Sequence, residues 1–368
     1  MAAFRKPLAL AAFCVGVLVS LPIIILALPF LIFALAVRAI AHLIEPAYIP
    51  WNQIIEFDAA LGWKPKRNLN THYLTLPKDG VFHTITDSEG WPGRSTISES
   101  DVVVIGDSFA FGYGVDICNS FAEKSRSIRI KAIGSPGYNM VQELLVMKEL
   151  SAKLTGKLVV WFVCVENDLI DNLSPHTFNY RSPFVKRDNV EHGWTIVTDH
   201  LRPTKWYYLH DTFKNHPYQG AYLDVLAKLC CASTLSISAY SACEFLIREA
   251  KEICFSSGAK LVIMTIPNTN QLSARGRNVL LSSGIDQETF DPGFPDKKLR
   301  AICDGLDVPF MPARAFLDEG DYKELDTHWN TRGHQRIARA LGDLYRDHLS
   351  PAREGARGRR RLVVEAAS

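Results

Sequence analysis

The stretch Val102-Val103-Val104-Ile105-Gly106-Asp107-Ser108-Phe109-Ala110-Phe111-Gly112-Tyr113-Gly114-Val115 runs an apolar segment straight into a glycine-flanked serine. Four consecutive β-branched residues fit a strand covered on both faces, as in a parallel sheet. Functional loops in such sheets lie beyond the carboxyl ends of the strands, and Ser108 falls there. Gly106 and Gly112 let the backbone turn tightly and approach a ligand closely. On this fragment two readings stay open: a nucleophile presented by a strand end, or a Gly-Asp-Ser turn that caps the next helix.

Outward from this stretch the pattern alternates. Residues 119–127 read as a short helix, 128–133 as a strand and 139–154 as a helix stopped by Gly156. Residues 158–165 form a second fully apolar strand. A long helix follows over 236–255, a strand over 260–266 closed by Pro267, and a last helix over 331–349 with Ile337, Leu341, Leu344 and Tyr345 in register. Such alternation implies a parallel sheet between helical layers. Upstream, 71–76 and 81–86 pair as a hairpin through Pro77-Lys78-Asp79-Gly80. Two segments break the alternation. Residues 174–235 are dense in aromatics, among them Trp194, Trp206, Tyr207 and Tyr208, and read as a lid over the substrate or as an insertion pinned to the domain. Residues 268–295 read as a polar loop bordering the same cleft.

The 368 residues are 47% hydrophobic and 22% charged, ordinary for a globular chain with an apolar addition. The addition is at the front: no charge occurs from Pro7 to Val37, enough helix to cross a bilayer core of about 30 Å once. Arg5 and Lys6 resemble the start of a cleaved signal, but the apolar run exceeds the roughly 7–15 residues of a signal core, so an uncleaved anchor is expected. Arg5 and Lys6 against Arg38 favour a body outside the cytoplasm. The expected organisation is an anchor over 1–44, a tether with a small β-hairpin over 45–100, a catalytic domain over 101–350, and a basic tail over 351–368. Net charge is +2, and five tail arginines against two glutamates leave −1 on the remainder, so no basic body argues for nucleic acid. The eight cysteines show no CxxC pair, and no metal or organic cofactor is expected.

A serine nucleophile needs a base, a group to orient it, and donors for the oxyanion. Asp326-Thr327-His328-Trp329-Asn330 supplies the first two, because residues two apart in extended chain point the same way. Asp326 would accept from one imidazole nitrogen while the other faces Ser108. The competing reading is an Asp–His pair capping the final helix. Donors follow two further strands: the N–H of Gly137 and the side-chain amide of Asn167.

In these blocks, in this order, the chain resembles the SGNH or GDSL-type hydrolases: Gly-Asp-Ser at 106–108, Gly137, Asn-Asp at 167–168 and the Asp–His block at 326–328. The resemblance implies a flavodoxin-like three-layer α/β/α fold with a mainly parallel sheet, preceded here by the N-terminal transmembrane helix. It implies Ser108 as nucleophile, His328 as base with Asp326 behind it, and Ser108, Gly137 and Asn167 as the oxyanion hole, with Asp107 and Asp168 in support. The long forms of the first and third blocks look like a membrane-anchored bacterial branch. Two departures stand out. Val165-Glu166-Asn167-Asp168 replaces the usual Gly-x-Asn-Asp and sets a carboxylate beside the oxyanion hole. Asp326-x-His328 followed by Trp-Asn is shortened from Asp-x-x-His and is similar to alginate-type O-acetyltransferases.

The function expected from this reading is a membrane-anchored serine esterase or acyltransferase acting on O-acyl, chiefly acetyl, esters of an envelope carbohydrate. Its partners would be the membrane, the acylated carbohydrate or another ester and, for transfer, a membrane acyl-donor protein. A catalytically silent binding or scaffold component of a polysaccharide-modifying complex, and a lipase or phospholipase, are the alternatives.

Overall fold

Five parallel strands position everything else: β1 (Val102–Gly106), β2 (Ile130–Gly134), β3 (Leu158–Cys164), β4 (Lys260–Ile266) and β5 (Phe310–Pro312). The computed structural model describes residues 26–36, 53–75, 80–177, 180–188, 193–202, 222–324 and 326–349. Across the sheet the order is β5-β4-β3-β1-β2. From β1 the chain therefore steps to one side for β2 and to the other for β3. That reversal is the place where open α/β sheets leave a crevice beyond the strand ends.

Every residue of β1, β2 and β3 is buried; β1 and β3 are unbroken apolar runs, and β2 carries one lysine, Lys131, inside. Successive side chains point to opposite faces. On one face Val102, Val104, Val160, Phe162 and Met264 share a core with Ile337 and Leu341 of the final helix. We label the helices used below α1 (Ser108–Phe111), α2 (Phe121–Lys124), α3 (Met140–Glu149), α4 (Thr234–Ser257), α5 (Phe294–Gly305) and α6 (Thr331–Leu349). Helices α3 and α4 touch β1 and β4 respectively, and α3 and α5 pack on α4. On that opposite face Trp161 donates its indole N–H to Glu143 of α3 at 2.6 Å. Two helical layers thus enclose the sheet, the three-layer α/β/α arrangement.

Several boundaries differ from the sequence reading for local reasons. The helix expected over 119–127 is a 3-10 turn, Ile117–Asn119, then only α2, because the Ser120 hydroxyl caps a new start by accepting from Glu123 N. Helix 139–154 stops at Glu149 and continues as a 3-10 turn, Ser151–Lys153. The expected loop 268–295 contains a helix, Ala274–Leu281, whose Ser273 cap was hidden among polar residues. Strand β5, three residues long and ending at Pro312, was too short to read. The aromatic segment 174–235 holds two small antiparallel pairs, His176–Thr177 with Tyr180–Arg181 and Phe184–Arg187 with Trp194–Val197, and a helix, Tyr222–Leu229. Residues 203–221, with Trp206, Tyr207 and Tyr208, lie outside the described residues.

Residues from Pro50 onward form one compact unit. In its first part Ile55–Asp58 pairs with Gly62–Pro65 and Asn70–Leu74 with Val81–Ile85; the Pro77-Lys78-Asp79 turn lies outside the described residues. This extension is tied into the sheet's strand-end loops. Trp63 donates to Pro136 O at 3.0 Å, the Tyr138 hydroxyl donates to Trp63 O at 2.9 Å, and the Tyr73 hydroxyl accepts from Gly114 N at 2.9 Å. Buried Lys131 of β2 donates to Asp87 at 2.7 Å.

The other unit, Met1–Ile49, has one described helix, Leu26–Ala36, which is apolar and exposed throughout. Among the described residues no single helix is long and apolar enough to cross a membrane. Residues 7–25 and 37 of the expected span, and the tail 351–368, lie outside the described residues. The bent pair Leu223–Leu229 and Thr234–Ser257 has a suitable composition, but Ala239, Cys243, Leu246, Ile247 and Ala250 are buried, as in a core helix.

Candidate active site

Strand β1 delivers Ser108 to the first position of α1. The Asp107 carboxylate accepts from Phe109 N at 2.9 Å and caps that short helix, which Gly112 closes in the left-handed region at φ 77°. The turn between strand and helix depends on Gly134 of the neighbouring strand. A Cβ on Gly134 would lie 2.6 Å from Asp107 O and 2.7 Å from both Ala110 Cβ and Gly106 O. Asp107 thus does the capping that the bland reading gave to the whole motif, and the serine hydroxyl remains for other partners.

That hydroxyl meets His328. Ser108 Oγ lies 2.7 Å from His328 Nε2, and His328 Nδ1 lies 2.6 Å from Asp326 Oδ1. The competing assignment, a helix cap, falls to Asn330, whose Oδ1 accepts from Arg332 N and Gly333 N at 2.9 and 3.1 Å. The backbone around the pair is pinned: Lys323 N donates to His328 O at 2.9 Å, and Tyr322 bridges Trp329. Beneath it, fully buried Trp329 meets the Phe109 ring at 4.7 Å and Phe162 at 5.8 Å. The imidazole is held between Phe109 at 4.9 Å and Tyr113 at 5.0 Å.

Electrostatics follow from these contacts. Burial alone would depress the His328 pKa, but the Asp326 hydrogen bond and charge outweigh it, helped by Asp107 and Glu166, and raise it above the ordinary imidazole value. Asp326 is opposed by burial too, yet its bond to His328, the charges of His328 and Lys323 and the His328 N–H hold it below the usual carboxylate value. Burial lifts Asp107 to about 6 against the Phe109 N–H, and lifts Asp171 to about 7. Burial also pushes Glu143 and Asp168 well up.

Two more strand ends reach the same place. After β2, Gly137 turns in the left-handed region at φ 75°. After β3, the Asp168 carboxylate accepts from Cys164 N at 2.7 Å and from Asn167 Nδ2 at 3.1 Å, which fixes the Asn167 amide. That amide lies 3.4 Å from Tyr138 O, beside Gly137, and also hydrogen-bonds Asp107. All seven residues named from sequence, Ser108, His328, Asp326, Gly137, Asn167, Asp107 and Asp168, therefore sit on elements that converge beyond β1, β2 and β3. Glu166 stood out in the sequence, but its two partners, Asn268 and Thr327, escaped that reading. Glu166 accepts from Asn268 Nδ2 and, at 3.1 Å, from Thr327 Oγ1, linking three loops. For Thr327 a signal existed: if Asp326 and His328 share one side, the residue between them faces the other.

Among the described residues no group of three or more His, Cys, Asp or Glu side chains is placed to hold a metal ion. A cavity of about 520 Å³ opens between α4 and α5, lined by Ile237, Tyr240, Phe294 and Lys298 among others, and none of the seven residues borders it.

No family model matches the chain, and no curated protein matches it. Among solved structures it is similar to a putative arylesterase from Agrobacterium tumefaciens str. C58, with 14% identity over 67% of this chain and 98% of that one, TM-score 0.39. A carbohydrate acetylesterase family member from Sinorhizobium meliloti gives 12% identity, 67% and 98% coverage and TM-score 0.37. A GDSL-like lipase from Bacteroides thetaiotaomicron VPI-5482 gives 11%, 70% and 93%, with TM-score 0.36. Similarity of this size assigns no activity to the chain.

Proposed function

We propose that the protein is a membrane-anchored serine esterase or O-acyltransferase of SGNH type. The observation that carries this reading is the continuous line of hydrogen bonds from Ser108 Oγ through His328 to Asp326, 2.7 and 2.6 Å long. Ser108 Oγ attacks the ester carbonyl carbon while His328 Nε2 takes the hydroxyl proton, and Asp326 stabilises the imidazolium that forms. The N–H groups of Ser108 and Gly137 and the Asn167 amide receive the oxyanion. Collapse of the tetrahedral intermediate breaks the bond to the alcohol oxygen, which leaves with the proton from His328. Water or a sugar hydroxyl, deprotonated by His328, then attacks the acyl-serine and regenerates the enzyme.

The local likeness of Asp326-Thr327-His328-Trp329-Asn330 to alginate-type O-acetyltransferases supports acetyl esters of an envelope carbohydrate as the substrate class. The charge-free run from Pro7 to Val37 supports a single-pass anchor, and the placement of Arg5 and Lys6 supports a catalytic body on the extracytoplasmic side. A membrane acyl-donor protein is the partner a transferase would need. The test is incubation of wild-type and Ser108→Ala protein with acetylated and de-acetylated glycans, with and without an acetyl donor, together with a fluorophosphonate probe. Acetate release marks an esterase and acetate gain a transferase. Equal behaviour of the two proteins and no labelling at Ser108 would overturn the reading in favour of a binding role.

A further inference from the structure

The carboxylate of Glu166 departs most from the usual composition of such a site, and its contacts give it a use. Glu166 stands just past β3. One of its oxygens accepts from the Asn268 side chain, beyond β4, and the other from the Thr327 hydroxyl at 3.1 Å. Asn268 has no choice of face: its own Oδ1 accepts from Asn270 N at 2.8 Å and its backbone N–H donates to Gln271 Oε1 at 2.9 Å, so only its Nδ2 is presented. Thr327 is the residue between Asp326 and His328. Its hydroxyl reaches Glu166 while the two neighbours engage each other and Ser108. We infer that Glu166 is a positioning residue, a carboxylate strap that fixes the Asp326–His328 loop against two strand ends.

This inference rests on the esterase or acyltransferase reading and refines it. Two donors converge on Glu166 from rigid directions, and only a carboxylate offers both oxygens as acceptors. Glutamine offers one oxygen and turns an N–H₂ toward a donor, so Glu166→Gln breaks one of the two links without changing shape. The strap is also a charge. His328 is faced by Asp326 on its own loop with Lys323 beside that carboxylate, by Asp107 from the turn after β1, by Tyr113 beyond α1, by Glu166 from β3 and by His334 on α6. Removing the Glu166 charge lowers the His328 pKa, whereas removing only the Thr327 hydroxyl leaves it in place.

The experiment compares Glu166→Gln, Thr327→Val and Thr327→Ser with wild type. Two readouts are used: turnover of a small neutral acetyl ester across pH, and titration of the His328 ring followed by NMR, which needs no activity. Expected are a fall in kcat of roughly ten- to a hundredfold in Glu166→Gln and Thr327→Val with KM little changed, the cost of a misplaced base. Thr327→Ser recovers wild-type kcat. The His328 titration moves to lower pH in Glu166→Gln alone. Wild-type kcat and an unmoved His328 titration in Glu166→Gln would overturn the inference. A wild type that behaves as Ser108→Ala while the His328 titration still moves would instead sink the enzymatic reading and leave the strap standing.

Discussion

On the proposed mechanism, replacing Asp326 by asparagine isolates the part of the site that orients and charges the base. In the wild type Asp326 is almost wholly buried and meets His328 Nδ1 at 2.6 Å. With charge centres about 4 Å apart and an effective dielectric of about 20, an imidazolium gains roughly 4 kcal/mol from that carboxylate. Loss of this amount from the transition state slows the chemical step by about three powers of ten. Asparagine adds a second penalty: its amide donates to Nδ1 and drives the ring proton onto Nε2, the atom that must accept from Ser108. The pH profile gives an independent reading. In that mechanism His328 acts as a base only when deprotonated, so activity should fall as pH drops through its pKa, which Asp326 holds above the ordinary imidazole value against burial. In Asp326→Asn the acidic limb should move to lower pH while the plateau of kcat drops roughly 10³-fold or more. The assay is hydrolysis of a chromogenic acetyl ester between about pH 5 and 8. A plateau within about tenfold of wild type, with the acidic limb unmoved, would refute the assignment of Asp326.

Two further outcomes concern the frame around the site. Gly134→Ala places a methyl 2.6 Å from Asp107 O and 2.7 Å from Gly106 O, backbone atoms that move only if β1 and β2 part, so we expect a loss of about 3 kcal/mol or more in thermal or urea unfolding. Full stability would show that the strand pair yields more easily than its packing implies. Glu143→Gln keeps an acceptor for Trp161 but removes a buried ionisable group. Because burial raises the folded pKa of Glu143 above its unfolded value, the wild type loses stability as pH climbs from about 4 toward that raised value. The variant should therefore be the more stable protein near neutrality, on the order of 1 kcal/mol or more, with the gap closing toward pH 4. A gap independent of pH would assign the effect to packing instead.

The parts legible in the sequence were those written by continuous local pattern. The runs at 102–105, 158–164 and 260–266 could satisfy themselves only as covered strands, and α6 was read to both its ends from the spacing of Ile337, Leu341 and Leu344. Ser108 stood out because it follows a covered strand between glycines, and Asp326 and His328 because residues two apart in extended chain point the same way. What escaped was set by contacts distant in sequence. Strand β5 takes its identity from pairing with β4, since three residues carry no period of their own. The segment at 53–66, read as a tether, proved to insert Trp63 behind the Gly137 turn, and nothing local distinguishes that tryptophan from one facing a bilayer. The carboxylate of Glu166 looked anomalous because its partners, Asn268 and Thr327, lie 102 and 161 residues away.

The bond from Ser108 to His328 spans 220 residues. A nascent chain carries Ser108 long before the ribosome has made His328, and closing so long a loop is slow beside the pairing of neighbouring strands. The Ser108–His328 pair can therefore form only once residues 326–328 have been made and brought to the end of β1, on the chain that leads into α6 and its packing with the sheet.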